Sequence, residues 1–228
     1  MSVKHQMSSP ATRSAFKGNS VQAGVPDSIL TREATDLLRE HSTELLFNHS
    51  HRVFFFASGQ GDAAGLKYDP ELLFICAAFH DLGLVKKYNG APDRFEVVSA
   101  NAARQFLAHH KLPEATIQTA WDAIALHTTP GITQYKQPEA ALLYTGVGLD
   151  VLGEGYDQFP GELRRKIVAE YPRTNFKESI VRAFLGGFEH KTQTTAGTVN
   201  EDVCARLIQG YVRSNFCDQI ANSPFEDS

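Results

Sequence analysis

The feature that most constrains this chain is the run from residue 74 to residue 83, Phe-Ile-Cys-Ala-Ala-Phe-His-Asp-Leu-Gly, where an apolar segment ends abruptly in a histidine and an aspartate side by side. Phe74, Ile75, Ala78 and Leu82 recur at three- and four-residue steps, which predicts a buried helix, with Gly83 as its left-handed C-terminal cap. A carboxylate and an imidazole in such a place need a partner. Consecutive helical residues point roughly 100° apart, so His80 and Asp81 reach one cation only if it lies close to the backbone, which a terminal turn permits. A neutral imidazole and a carboxylate together suit a divalent ion such as Zn, Fe or Mn. The doublet alone is equally compatible with a hydrogen-bonded core His80 and an Asp81 that caps the next segment.

Other segments repeat the helical period. Leu45, Leu46, His49, Val53, Phe56 and Ala57 form one apolar stripe, which Gly59, Gly61 and Gly65 should weaken towards its end. His49 lies on the stripe, whereas His51 falls about 200° round the helix and is expected at the surface or behind the site. Asp69 and Pro70 announce the helix that ends in the doublet. Glu96 stands in the first turn of a helix running from Phe95 to His110, where a glutamate ordinarily serves the helix dipole. His127 ends another helix and is followed by Thr128 and Thr129, whose short hydroxyls suit substrate contacts. Asp150 sits in a helix rich in small residues and, being buried, needs a cation or hydrogen-bond partners. No stretch alternates strictly, so the expectation is an all-α bundle of roughly nine helices.

The order of His49, His80-Asp81 and Asp150, each on its own helix, resembles the HD-domain metallohydrolase superfamily. Asn48-His49-Ser50, Arg52-Val53-Phe54, Phe79-His80-Asp81-Leu82, Arg94-Phe95-Glu96, Ala123-Ile124 with His127, and Leu149-Asp150 resemble the cyanamide hydratase branch within it. The resemblance spans about residues 30–215. It implies an HD-domain helical bundle in which His49, His80, Asp81 and Asp150 hold one divalent transition metal, zinc before iron or manganese. It also implies that metal-activated water is added to a small molecule, as in the conversion of cyanamide to urea. Glu96 and His127 are then the expected proton-handling residues, and Phe95, Thr128 and Thr129 the expected substrate contacts. His109 and His110 are the residues that a two-metal variant of the site would recruit. Several phosphodiesterase relatives carry a lysine after the glycine of the His-Asp-x-Gly string, where this chain has Leu84. A nucleotide-directed HD phosphohydrolase is the alternative enzyme, and a silent HD-fold binding module the third reading.

Composition narrows the partners. With 228 residues, 42% of them hydrophobic, the chain can bury one substantial core, so the expectation is a single domain over residues 26–222 between tails at 1–25 and 223–228. The Ser- and Gln-containing first tail should be flexible. A net charge of −4 argues against nonspecific nucleic-acid binding. Cys76, Cys204 and Cys217 form no Cys-x-x-Cys pair, and no run is apolar enough to span a membrane, so a soluble cytoplasmic protein with a small-molecule substrate is expected. A homo-oligomer is compatible with all of this.

Overall fold

The structure, a computed structural model, describes residues 24–225. Most of the two expected tails, residues 1–23 and 226–228, lies outside the described residues. Among the described residues ten α-helices follow one another: α1 (Ile29–His41), α2 (Glu44–Ala64), α3 (Pro70–Phe79), α4 (Phe95–His109), α5 (Glu114–Ala125), α6 (Pro138–Leu152), α7 (Gly161–Glu170), α8 (Phe176–Phe188), α9 (Asn200–Leu207) and α10 (Phe216–Ala221). Short 3-10 turns occupy Leu82–Leu84, Thr133–Tyr135 and Glu189–Thr195, and there is no strand among the described residues. The all-α expectation holds. The helix that the periodicity missed is α10, which buries none of its side chains and so has no apolar stripe to read. No helix among the described residues is long and apolar enough to cross a membrane.

The helix starts are chemically marked. The Ser28 hydroxyl accepts from the Thr31 N–H ahead of α1, the Thr43 hydroxyl from Leu46 N–H ahead of α2, and Asp69 Oδ1 from the N–H groups of Glu71 and Leu72 beside Pro70. α2 runs unbroken through Gly59 and Gly61 and ends at Gly65 in the left-handed region, φ 65°. Gly61 is tolerated there because it admits its neighbours: a Cβ on it would stand 2.8 Å from the Tyr68 ring.

α3 is the centre of the bundle. Every residue from Leu72 to Phe79 is buried, enclosed by α1, α2, α4, α5 and α6. Two glycines set how closely the surrounding pieces approach. At Gly146 on α6 a Cβ would lie 2.6 Å from the Val53 carbonyl oxygen and 2.9 Å from the Ala57 Cβ, so α2 and α6 cross almost backbone to backbone. One turn further along each helix, in opposite senses, lie His49 and Asp150. At Gly83 a Cβ would lie 2.1 Å from the Phe95 carbonyl oxygen, and the Gly83 N–H donates to the buried Ser99 hydroxyl at 2.7 Å. Gly83 is therefore not the left-handed cap that the sequence pattern predicts. It belongs to the 3-10 turn after α3, and glycine is required because a side chain would strike α4.

Gly146→Ala should lower stability, because overpacking costs about 1–3 kcal/mol while the gain in helix propensity returns at most about 1 kcal/mol. Gly186→Ala in α8 is the control: nothing lies within 4 Å of its added methyl, so it should be neutral or mildly stabilising. Urea unfolding of both variants checks this, and equal midpoints would contradict the close approach at Gly146.

Candidate metal centre

Three histidines converge on Asp81, and each is aimed by what its other ring nitrogen bonds. His80 is the first residue past α3 and its Nδ1–H folds back to donate to the Ala77 carbonyl at 2.8 Å. His127 does the same after α5, donating from Nδ1–H to the Ile124 carbonyl at 2.6 Å. The last carbonyls of a helix have no intrahelical partner, so a histidine one or two steps beyond the end satisfies one of them and has its ring fixed in return. His49, inside α2, donates from Nδ1–H to Asp150 Oδ2 at 2.7 Å. A carbonyl cannot donate and an ionised carboxylate only accepts, so in the neutral rings all three Nε2 atoms carry lone pairs.

The lone pairs of His49 and His80 face each other and Asp81 Oδ2, and that of His127 faces Asp81 Oδ1. His49 Nε2 and His80 Nε2 are 3.1 Å apart, and Asp81 Oδ2 lies 3.3 Å from His80 Nε2 and 3.5 Å from His49 Nε2. His127 Nε2 stands 3.6 Å from Asp81 Oδ1. Donor atoms about 2.0–2.1 Å from a tetrahedral ion are separated by roughly 3.3 Å, so the spacings among His49, His80 and Asp81 fit one small cation, with His127 on the other oxygen of Asp81. Both Asp81 oxygens are buried without a hydrogen-bond partner. His80 and Asp81 are only 0% and 3% exposed, too deeply placed for bulk water to compensate. Among the described residues His49, His80 and Asp81 form the one group of side chains able to hold a metal together.

The charges agree. Burial pulls His49 below the ordinary histidine value against the pull of Asp150, which keeps it a neutral ligand. Burial alone would also lower His80, but the Asp81 charge outweighs it and raises the group. Asp81 is held well below the usual carboxylate range in spite of its burial, by His80, His127 and His49. A carboxylate in this setting draws positive charge inward, which a protonated His80 or a divalent ion in its place would supply.

Asp150 lies elsewhere than the sequence expectation put it. Its Oδ1 receives Arg52 Nε at 2.8 Å and an ion pair from Arg173, and its Oδ2 receives His49 Nδ1 at 2.7 Å and Arg52 Nη2 at 2.9 Å. With both oxygens turned to these donors, the carboxylate sits behind His49 rather than among the Nε2 atoms. Burial would raise its pKa, but His49 and Arg52 hold it well below the usual range. Phe176 packs its ring against both guanidinium groups, 4.8 Å from Arg52 and 4.1 Å from Arg173. Arg173 carried no sequence signal, since it lies in the irregular link between α7 and α8.

The remaining expected residues gather beside the cluster. The Phe95 ring meets His127 edge-on at 5.6 Å. Glu96 is fully buried, and its Oε1 accepts from Thr128 Oγ1 at 2.6 Å, Asn200 Nδ2 at 2.9 Å and Arg94 Nη2 at 3.0 Å. Burial works to raise this carboxyl, but the Arg94 and Thr128 bonds and the nearby His127 keep it below its ordinary value. Thr129 closes the turn by donating its N–H to the Leu126 carbonyl at 2.8 Å. His51 is not a surface residue: it is buried, stacked on Tyr171 with centroids 4.7 Å apart, and bonded through Nδ1 to the Phe47 carbonyl. His110 points to α1, with Nε2 3.1 Å from Glu33, and His109 packs edge-on against it.

Two outcomes follow from this geometry. Purified protein should hold about one equivalent of a divalent transition metal, lost in His80→Ala and Asp81→Ala and weakened in His127→Ala. Elemental analysis measures this, and full metal content in the first two variants would remove the site. Asp150→Asn should cost about 3–5 kcal/mol in denaturant unfolding, because it leaves the buried Arg52 guanidinium without its counter-charge. A change below 1 kcal/mol would show that Arg52 is otherwise compensated.

Comparison with protein families agrees with the geometry. The family model described as HD domain matches residues 46–181, more than half of the chain, and its members are in general metal-dependent hydrolases. The comparison with curated proteins finds no match. The matched span contains His49, His80, Asp81, His127 and Asp150, and on it the chain belongs to the HD domain family.

Proposed function

We propose that the protein is a metal-dependent hydratase of a compact nitrogenous molecule, converting cyanamide to urea, with His49, His80, Asp81 and His127 holding one ion, zinc first among the candidates. The observation that carries this reading is the Asp81 carboxylate, buried without a hydrogen-bond donor and facing three imidazole lone pairs. A divalent ion in such a site activates water and polarises a substrate atom.

The chain's own residues supply the rest. Asp150 and the Ala77 and Ile124 carbonyls keep the three rings in one tautomer and orientation. Phe95 covers one edge of His127 with an apolar ring, which suits a compact uncharged substrate. In the overall change, the water oxygen bonds to the nitrile carbon and both water protons end on the nitrile nitrogen. Glu96 is ionised and can relay a proton. Its Oε1 takes the three shorter hydrogen bonds, leaving Oε2, met by Arg94 Nε at 3.4 Å, as the freer oxygen.

Two observations disfavour a phosphate ester. Arg52 and Arg173 both turn their guanidinium groups to Asp150, and Arg94 turns to Glu96, so none of the three is aimed at the cluster as a phosphate clamp. Leu84 takes the place of the lysine seen in phosphodiesterase relatives, and it is buried against Gly187, where a Cβ would lie 2.5 Å from its Cδ2. The enzyme would work in a reducing compartment, the cytoplasm, where Cys76, Cys204 and Cys217 remain free thiols.

The test is a paired assay of metal-loaded protein on cyanamide and on nucleoside monophosphates. Urea should form and phosphate should not, and Glu96→Gln should lower turnover about 100-fold with its metal retained. Phosphate release without urea would turn the assignment to the phosphohydrolase.

A further inference from the structure

The chain beyond the matched HD unit grips one short stretch of it. Asn89 Nδ2 donates to the Gly186 carbonyl at 3.2 Å, His190 Nε2–H to the Asn89 carbonyl at 2.9 Å, Lys191 Nζ to the Ala91 carbonyl at 2.7 Å and Asn200 Nδ2 to Glu96 Oε1 at 2.9 Å. All four bonds join residues 186–200 to residues 89–96, the approach to α4 and its first turn. Lys191 and Asn200 are each 3% exposed, so two polar side chains have been driven inward from a polar segment. Such burial is unfavourable unless the bonds made there are needed.

What Asn200 reaches is linked to the metal centre. Glu96 Oε1 accepts from Asn200 and, at 2.6 Å, from the hydroxyl of Thr128, the residue after His127. Thr128 belongs to the turn in which His127 folds back on Ile124 and aims Nε2 at Asp81 Oδ1. We propose that Asn200 is a positioning residue of the metal centre, fixing through Glu96 the Thr128 hydroxyl and the turn that aims His127. This rests on the reading that His127 helps to hold the ion. Lys191 assists by pinning the Ala91 carbonyl, which steadies the entry to α4 ahead of Glu96. The segment after residue 181 is therefore part of the site rather than an appendage to it.

Cobalt(II) loaded into the full-length protein reports ligand geometry through its visible absorption, independently of any substrate. Asn200→Leu keeps the side-chain volume and removes the donor, and Asn200→Ala is the second variant. Both should shift the cobalt bands, Thr128→Val should shift them in the same direction, and Thr128→Ser should restore the unsubstituted spectrum. Asn200 variants that bind cobalt with unshifted bands and retain native circular dichroism would overturn the inference, leaving Asn200 as a tether of α9. If Asn200 variants fail to fold, an unshifted spectrum in Thr128→Val overturns it equally. Absence of cobalt binding by the unsubstituted protein would instead defeat the metal-centre reading itself, and the inference with it.

Discussion

The crossing of α2 and α6 is the constraint on which the site depends. Gly146 lets the Val53 carbonyl and the Ala57 methyl come closer than any side chain would allow. One turn away, that closeness becomes the 2.7 Å hydrogen bond between His49 and Asp150. The bond selects the tautomer of His49 and turns its Nε2 towards His80 and Asp81. A wider crossing would leave His49 free to rotate, and the two halves of the donor set would no longer share a focus.

Charge is arranged in two nested layers around this focus. Asp81 faces the imidazole nitrogens, while Asp150, behind His49, faces Arg52 and Arg173. Arg52 also donates to the carbonyls of Tyr171 and Pro172, which ties the link between α7 and α8 to α2. The outer carboxylate is more than matched by two protein cations, and the inner one has no arginine or lysine beside it. That difference marks where a cation belongs.

Much of this was legible in the residues. Helical periodicity, caps at Ser28, Thr43 and Asp69, and the absence of alternation were enough for the all-α fold, because they report local chemistry. The convergence of His49, His80 and Asp81 was also foreseeable, since buried polar residues at helix ends need a common partner. Asp150 was harder: a buried carboxylate on a helix has the same spacing whether it meets an ion or an arginine, and Arg173 arrives from an irregular link. Gly83 misled for a related reason. Glycine at a helix end is usually read as a need for positive φ, whereas here it marks a missing side chain against the Phe95 carbonyl. Asn200 could not be found at all by period, because its meaning lies in a contact 104 residues away in sequence.

The four bonds between residues 89–96 and 186–200 have a consequence for anyone recombining this protein with its relatives. A natural boundary for a chimera would be the end of the family match at residue 181. Three of those bonds end on main-chain carbonyls that any relative supplies, but each takes its donor from a side chain, and the Asn200–Glu96 bond needs a matching side chain on both sides of the cut. The unit that can be exchanged is discontinuous, with the approach to α4 and the chain after α8 inherited as one part.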